Sequence, residues 1–157
     1  MGMQPAYLLL LLIPLSILLS YQLRQQAATK LVGRRLATPE YLTINKDGLQ
    51  LSVMDPKQNK WFFLVIALIL GIVGWLFVSF GWFAALVGLI QAYVVNILSD
   101  IFLVPKADSR RFLRQIFASM NRRHADYQRD GDKQRTMAMG YLREEFLKHY
   151  GQEITKP

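Results

Sequence analysis

A chain of 157 residues that is 52% hydrophobic, with 19 Lys and Arg against 11 Asp and Glu and a net charge of +8, places most of its apolar residues in a few long runs. The absence of cysteine excludes disulfides, thiolate metal sites and cysteine nucleophiles. What lies outside the apolar runs falls into two pieces, 22–60 and 105–157, each too short to bury a large core of its own.

Residues 5–21, PAYLLLLLIPLSILLSY, form the first apolar run. No charged side chain precedes Arg24, and no small-x-small cleavage site follows the run, so 1–21 reads as an uncleaved transmembrane anchor. Pro14 removes one helical hydrogen bond and favours a kink. Positive charge then appears at Arg24, Lys30, Arg34, Arg35, Lys46, Lys57 and Lys60, against Glu40, Asp47 and Asp55. Leu23, Ala27 and Leu31 recur every four residues, which extends the first helix from Tyr21 toward Leu36, with Gly33 and Thr38-Pro39 expected to end it. Alternation of Leu42 and Ile44, then Leu49, Leu51 and Val53, around Asn45-Lys46-Asp47-Gly48 predicts a short β-hairpin.

From Trp61 to Val104 the chain holds one formal charge, Asp100, in 44 residues. A straight helix of that length would measure about 66 Å, against a hydrocarbon core of about 30 Å. The run must reverse, and Ser79-Phe80-Gly81-Trp82 at its midpoint supplies the glycine a tight turn needs. A transmembrane helical hairpin over 61–104 follows, because backbone groups in lipid must be paired within helices. Small residues mark its expected seam: Ala67, Gly71 and Gly74 on the first arm, Ala84, Gly88 and Ala92 on the second. Antiparallel pairing would set Gly71 beside Ala92, Trp75 beside Gly88 and Ser79 beside Ala84. Trp61 and Phe62 at one end, with Phe80, Trp82 and Phe83 at the other, suit the two headgroup layers.

On the second arm Tyr93, Asn96 and Asp100 fall within about 60° of one another in helical projection, one polar stripe toward the cytoplasmic end. Ionisable groups in a span are costly and point to function. The favoured reading here is structural, with Asp100 reaching the headgroups or pairing with Lys60 or Lys106. A subunit contact and an ion or proton path are the alternatives.

After Pro105, residues 107–127 predict a basic amphipathic helix capped by Asp108 or Ser109. Phe112, Leu113, Ile116, Phe117 and Met120 form its apolar stripe; Arg110, Arg111, Arg114, Arg122 and Arg123 take the flanks. Such a helix lies on anionic lipid or docks on a partner subunit. A turn over 128–132 leads to a last helix, Lys133 to Tyr150, with Met139, Leu142, Phe146 and Tyr150 on one face, Glu144 placed to pair with Lys148, and Gly151 as its stop. The two tail helices could pair as a helical hairpin.

Both basic pieces on one side of the membrane fit three crossings with the N-terminus outside and the C-terminus cytoplasmic. The expected fold class is therefore an all-α integral membrane protein, with three transmembrane helices, a short cytoplasmic β-hairpin and a basic helical tail over 105–157, in a bacterial inner membrane. His124 and His149 have no metal-ligand spacing, and no Walker loop, serine elbow, HExxH or dinucleotide fingerprint occurs. The expectation is a non-catalytic accessory or scaffold subunit without metal or cofactor, whose partners are anionic lipid and other membrane subunits or further copies of itself. A small oligomeric transport component using Asn96 and Asp100 is the second reading. A tether for nucleic acid or ribosomes is the third, weakened by the acids interspersed through the tail.

Overall fold

The structure, a computed structural model, describes residues 4–36 and 56–155. Among these residues the chain is wholly helical: α1 (Pro5–Leu36), α2 (Pro56–Phe80), α3 (Trp82–Phe102), α4 (Arg110–Arg129) and α5 (Lys133–Thr155). The β-hairpin expected over 42–53 lies outside the described residues. Three helices are long and apolar enough to cross a membrane, Pro5–Leu36, Lys60–Phe80 and Trp82–Phe102. At 1.5 Å per residue, the 21 residues of each of the last two rise about 31 Å, which matches a hydrocarbon core of about 30 Å. The helices form two compact units, Met1–Arg24 with Lys57–Pro105, and Gln25–Pro56 with Lys106–Pro157.

In the first unit α1, α2 and α3 close a core of Leu8, Leu12, Val65, Ile69 and Leu76, with Leu9, Leu15, Leu19, Ile72 and Ala84 packed round it. The reversal takes a single residue: α2 ends at Phe80, α3 starts at Trp82, and Gly81 between them sits at φ 86°. That dihedral is open to glycine at little steric cost. The turn is closed by the Gly81 N–H donating to Phe77 O at 2.9 Å. The small residues of the expected seam differ in burial between the two arms. On α3, Gly88 is buried, with Ala84 and Ala92 half-buried beside it, whereas Ala67, Gly71 and Gly74 on α2 are exposed. A Cβ added at Gly71 or Gly74 would meet no described atom within 4 Å. The face α2 turns inward carries Val65, Ile69, Val73 and Leu76 instead. Gly88 accordingly receives Leu76 and not Trp75, which is exposed. Large aliphatic side chains filling the space left by one glycine bury more apolar surface than glycine against alanine could, and this decides which face of α2 turns in.

The second unit draws on the last turns of α1 with α4 and α5. Its apolar interior holds Ala28, Val32 and Leu36 of α1, Phe112, Leu113, Ile116 and Met120 of α4, and Ala138, Met139, Leu142, Phe146 and Tyr150 of α5, all buried. Phe117 stacks on Phe146 with ring centroids 5.3 Å apart, and Phe146 meets Tyr150 at 5.1 Å. From α1, Gln25 Nε2 donates to Gln115 Oε1 at 3.3 Å, and Arg35 donates to the Tyr150 hydroxyl at 3.3 Å while lying over its ring. The α1 extension is as expected, but its inward row is Ala28, Val32 and Leu36; Leu23, Ala27 and Leu31 are exposed.

Two details of α5 depart from the sequence reading. Gly151 does not stop it, and the helix continues to Thr155, whose Oγ1 donates to Gly151 O at 2.7 Å. Arg114 Nε, donating to Ile154 O at 3.2 Å, ties down that extra turn. Lys148 pairs with Glu145 rather than Glu144, because Glu145 lies on the buried side and needs a cation there. That hydrogen bond, with the attraction of the same carboxylate behind it, raises the lysine above its ordinary value of 10.5. A raised lysine contributes stability below its ordinary value and loses it as pH climbs through the raised one. Glu145→Gln should therefore flatten the alkaline limb of the full-length protein's melting profile above about pH 10. An unchanged limb would show the pair to be energetically idle.

Candidate functional site

The polar residues of the membrane unit are the natural place to look for function, since each is expensive in lipid. On α1, Ser16, Ser20 and Arg24 continue the four-residue row begun by Leu8 and Leu12; Ser16 and Ser20 are buried. On α3 the polar residues are Gln91, Asn96, Ser99 and Asp100, all buried or half-buried, and Tyr93, which is exposed. These two rows meet. Gln91 Nε2 donates to Leu9 O at 2.8 Å, Asn96 Nδ2 to Ser16 O at 3.4 Å, and Ser20 Oγ to Asn96 O at 2.6 Å. At the end of the row Arg24 Nε donates to Asp100 Oδ1 at 2.8 Å, and Arg24 Nη2 bonds both Asp100 Oδ2 and Asp100 O. Partners rise together along both helices, Leu9 with Gln91, Ser16 with Asn96, Arg24 with Asp100, so α1 and α3 run parallel.

The polar stripe of α3 is thus divided. Asn96 and Asp100 turn to α1, with Gln91 added to them, while Tyr93 points away. Asp100 meets Arg24 and not Lys60 or Lys106. Nothing near Asp100 in the sequence marks this partner, which is 76 residues away; the signal for it is the four-residue spacing of Ser16, Ser20 and Arg24. Bidentate guanidinium–carboxylate geometry fixes the depth of α1 against α3. Chemically the array holds two helices together. Each polar contact offsets a desolvation cost that lipid would otherwise impose. On α1, Ser16 Oγ and Gln22 Oε1 are buried with no hydrogen-bond partner among the described residues.

The contact is modest in energy. Side-chain exposure of 28% for Arg24 and 42% for Asp100 leaves the pair open to screening, which puts its worth at about 1 kcal/mol or less. Asp100→Ala should lower the thermal midpoint of the detergent-solubilised protein by a few degrees, about 2–4 °C for a chain of this size. The double change Arg24→Asp with Asp100→Arg should recover part of it. If the single change left the midpoint untouched, the pair would carry no structural load.

In the second unit, the residues expected to touch lipid or a partner separate by burial. Phe112 and Ile116 are buried, and Phe117 is half-buried and stacked on Phe146 of α5. The stripe, for which the sequence suggested anionic lipid or a partner subunit, lies inside the second unit, where α4 pairs with α5 as the helical hairpin the sequence allowed. Arg110, Arg111, Arg114 and Arg122 remain exposed, and Arg123 is half-buried, donating to the Tyr127 hydroxyl at 3.1 Å. His124 faces Gly140 across the α4–α5 pair and His149 lies 3.9 Å from Glu145, with no cluster of three metal-ligating side chains among the described residues.

No family model, curated protein or solved structure matches this chain.

Proposed function

We propose that this protein is a non-catalytic accessory or scaffold subunit of a membrane complex. It would dock in the bilayer through the outer surface of its helical hairpin and meet anionic lipid or a partner through the arginine side of α4. One observation carries this reading: Gln91, Asn96 and Asp100 are consumed in clamping α1 to α3. Polar groups spent on holding a unit together are not free to line a conduction path, which disfavours the transport alternative. Ala67, Gly71 and Gly74 on the outer face of α2 support docking there, since small residues let a second helix backbone come close.

The setting belongs to the same proposal: a bacterial inner membrane, the N-terminus outside, and both arginine-bearing pieces in the cytoplasm. Cysteines introduced at positions 46 and 130 should then react with a membrane-impermeant thiol reagent from one and the same side. The function itself is tested by tagging the chain in its own membranes and solubilising in a mild detergent. A partner should come with it in fixed proportion. A monodisperse monomer without companions would end the reading.

A further inference from the structure

We infer that α3 pairs with α3 of a second copy of this chain through the face centred on Tyr93. This deepens the assembly reading above, and rests on it, by naming one occupant of the hairpin's outer surface.

Tyr93 is one residue past the midpoint of Trp82–Phe102, within about 2 Å of the centre of the span at 1.5 Å per residue. Tyrosine favours the headgroup layers, where its hydroxyl is solvated. Here the headgroups lie about 15 Å away in either direction, well beyond the reach of a phenol. The side chain is 68% exposed, and its hydroxyl makes no hydrogen bond among the described residues. A hydroxyl left bare in hydrocarbon costs free energy that only another protein group at that depth can return.

Two properties of the position select a second copy as that group. A phenol both donates and accepts, so two of them satisfy each other. Copies inserted in the same orientation hold Tyr93 at the same depth, and a two-fold axis along the membrane normal brings each residue of a self-complementary face to its own counterpart. The surrounding side chains have the matching period. Leu86, Ile90, Tyr93, Ile97 and Ile101 are spaced four, three, four and four, and every one is exposed. The first four follow the four-three alternation of a left-handed helix pair, with stiff β-branched side chains for knobs and one polar residue to fix the register, and the next place in that alternation, Asp100, is already taken by Arg24.

The absence of cysteine makes the test direct. Ile90→Cys and Ile97→Cys, each made singly in the full chain and oxidised in its own membranes, should give a disulfide-linked dimer. A bridge requires Cα atoms about 4.4–6.8 Å apart, a separation met only on the seam. Leu98→Cys, also exposed but 100° round the helix from Ile97, should not cross-link. Tyr93→Phe, which keeps shape and volume, should weaken the dimer about three- to tenfold on dilution in detergent micelles. Absence of cross-links at 90 and 97, equal cross-linking at 98, or capture of a different protein at those positions would overturn the second copy as occupant. An unchanged dimer in Tyr93→Phe would overturn the role of the phenol. In each of these cases a companion protein recovered with the chain would leave the accessory-subunit reading standing; a lone monomer would sink both.

Discussion

Gly88→Leu should break open the membrane unit, whereas Gly71→Leu should leave it intact. A Cβ at position 88 would stand 2.9 Å from Cδ1 of Leu76, 3.3 Å from Cδ1 of Leu12 and 3.7 Å from Cδ2 of Leu9. One methyl already forces Leu76 to move. A whole leucine has no space where all three helices meet, and the expected cost is about 3 kcal/mol, at the upper end of overpacking. Gly88→Ala should fall near neutral, because the helical gain of alanine over glycine, about 1 kcal/mol, offsets the displaced leucine tip. At Gly71 no described atom lies within 4 Å of an added Cβ, and the residue is on the exposed side of α2, so the effect on the isolated chain should stay within about 0.5 kcal/mol. Unfolding in mixed micelles as a function of denaturing detergent reads all three. If the leucine at 71 destabilised the chain as much as the leucine at 88, the observed orientation of α2 would be wrong.

The second large effect belongs to Phe146→Ala. The ring is fully buried, stacked on Phe117 and touching Tyr150, which in turn receives Arg35. Removing it deletes the shared partner of two aromatic side chains, for which Phe→Ala changes in cores cost about 3–5 kcal/mol. For a small unit that is a large share of a stability of about 5–15 kcal/mol. Limited proteolysis in membrane vesicles should show cleavage between residues 106 and 155 accelerating by two orders of magnitude or more, since about 1.4 kcal/mol is tenfold. Phe146→Leu should recover much of the loss. Cleavage at the rate of the unaltered protein would mean that α4 and α5 hold together by other contacts.

The parts of this fold that sequence pattern could reach are those decided by length and local chemistry. A 44-residue apolar run has to turn, and a glycine at its midpoint is where it turns. The stripe of Met139, Leu142, Phe146 and Tyr150 is buried because 3.6-residue periodicity in a polar helix has little other meaning. Direction within an apolar helix is a different problem. Every face of α2 is hydrophobic, so periodicity says nothing about which one turns in, and the residue that meets Gly88 is the large Leu76, which no small-residue pattern marks. For the same reason the apolar stripe of α4 was legible but its cover was not, since lipid, partner and α5 all satisfy it. The polar ladder was seen from one side only. Asn96 and Asp100 declared themselves by being rare in such a run, while serines at 16 and 20 are ordinary in membrane helices.

The parallel contact between α1 and α3 also has a temporal side. Arg24 and Asp100 are 76 residues apart, and at about 5–20 residues per second a ribosome takes roughly 4–15 s to make the second after the first. Through that interval the first anchor stands in the bilayer with its serine row and its arginine unanswered. The bundle therefore cannot close while the chain is being threaded span by span. It waits for the last crossing to arrive, and a ribosome stalled before residue 91 would leave an anchor and a lone helix with no polar contact to join them.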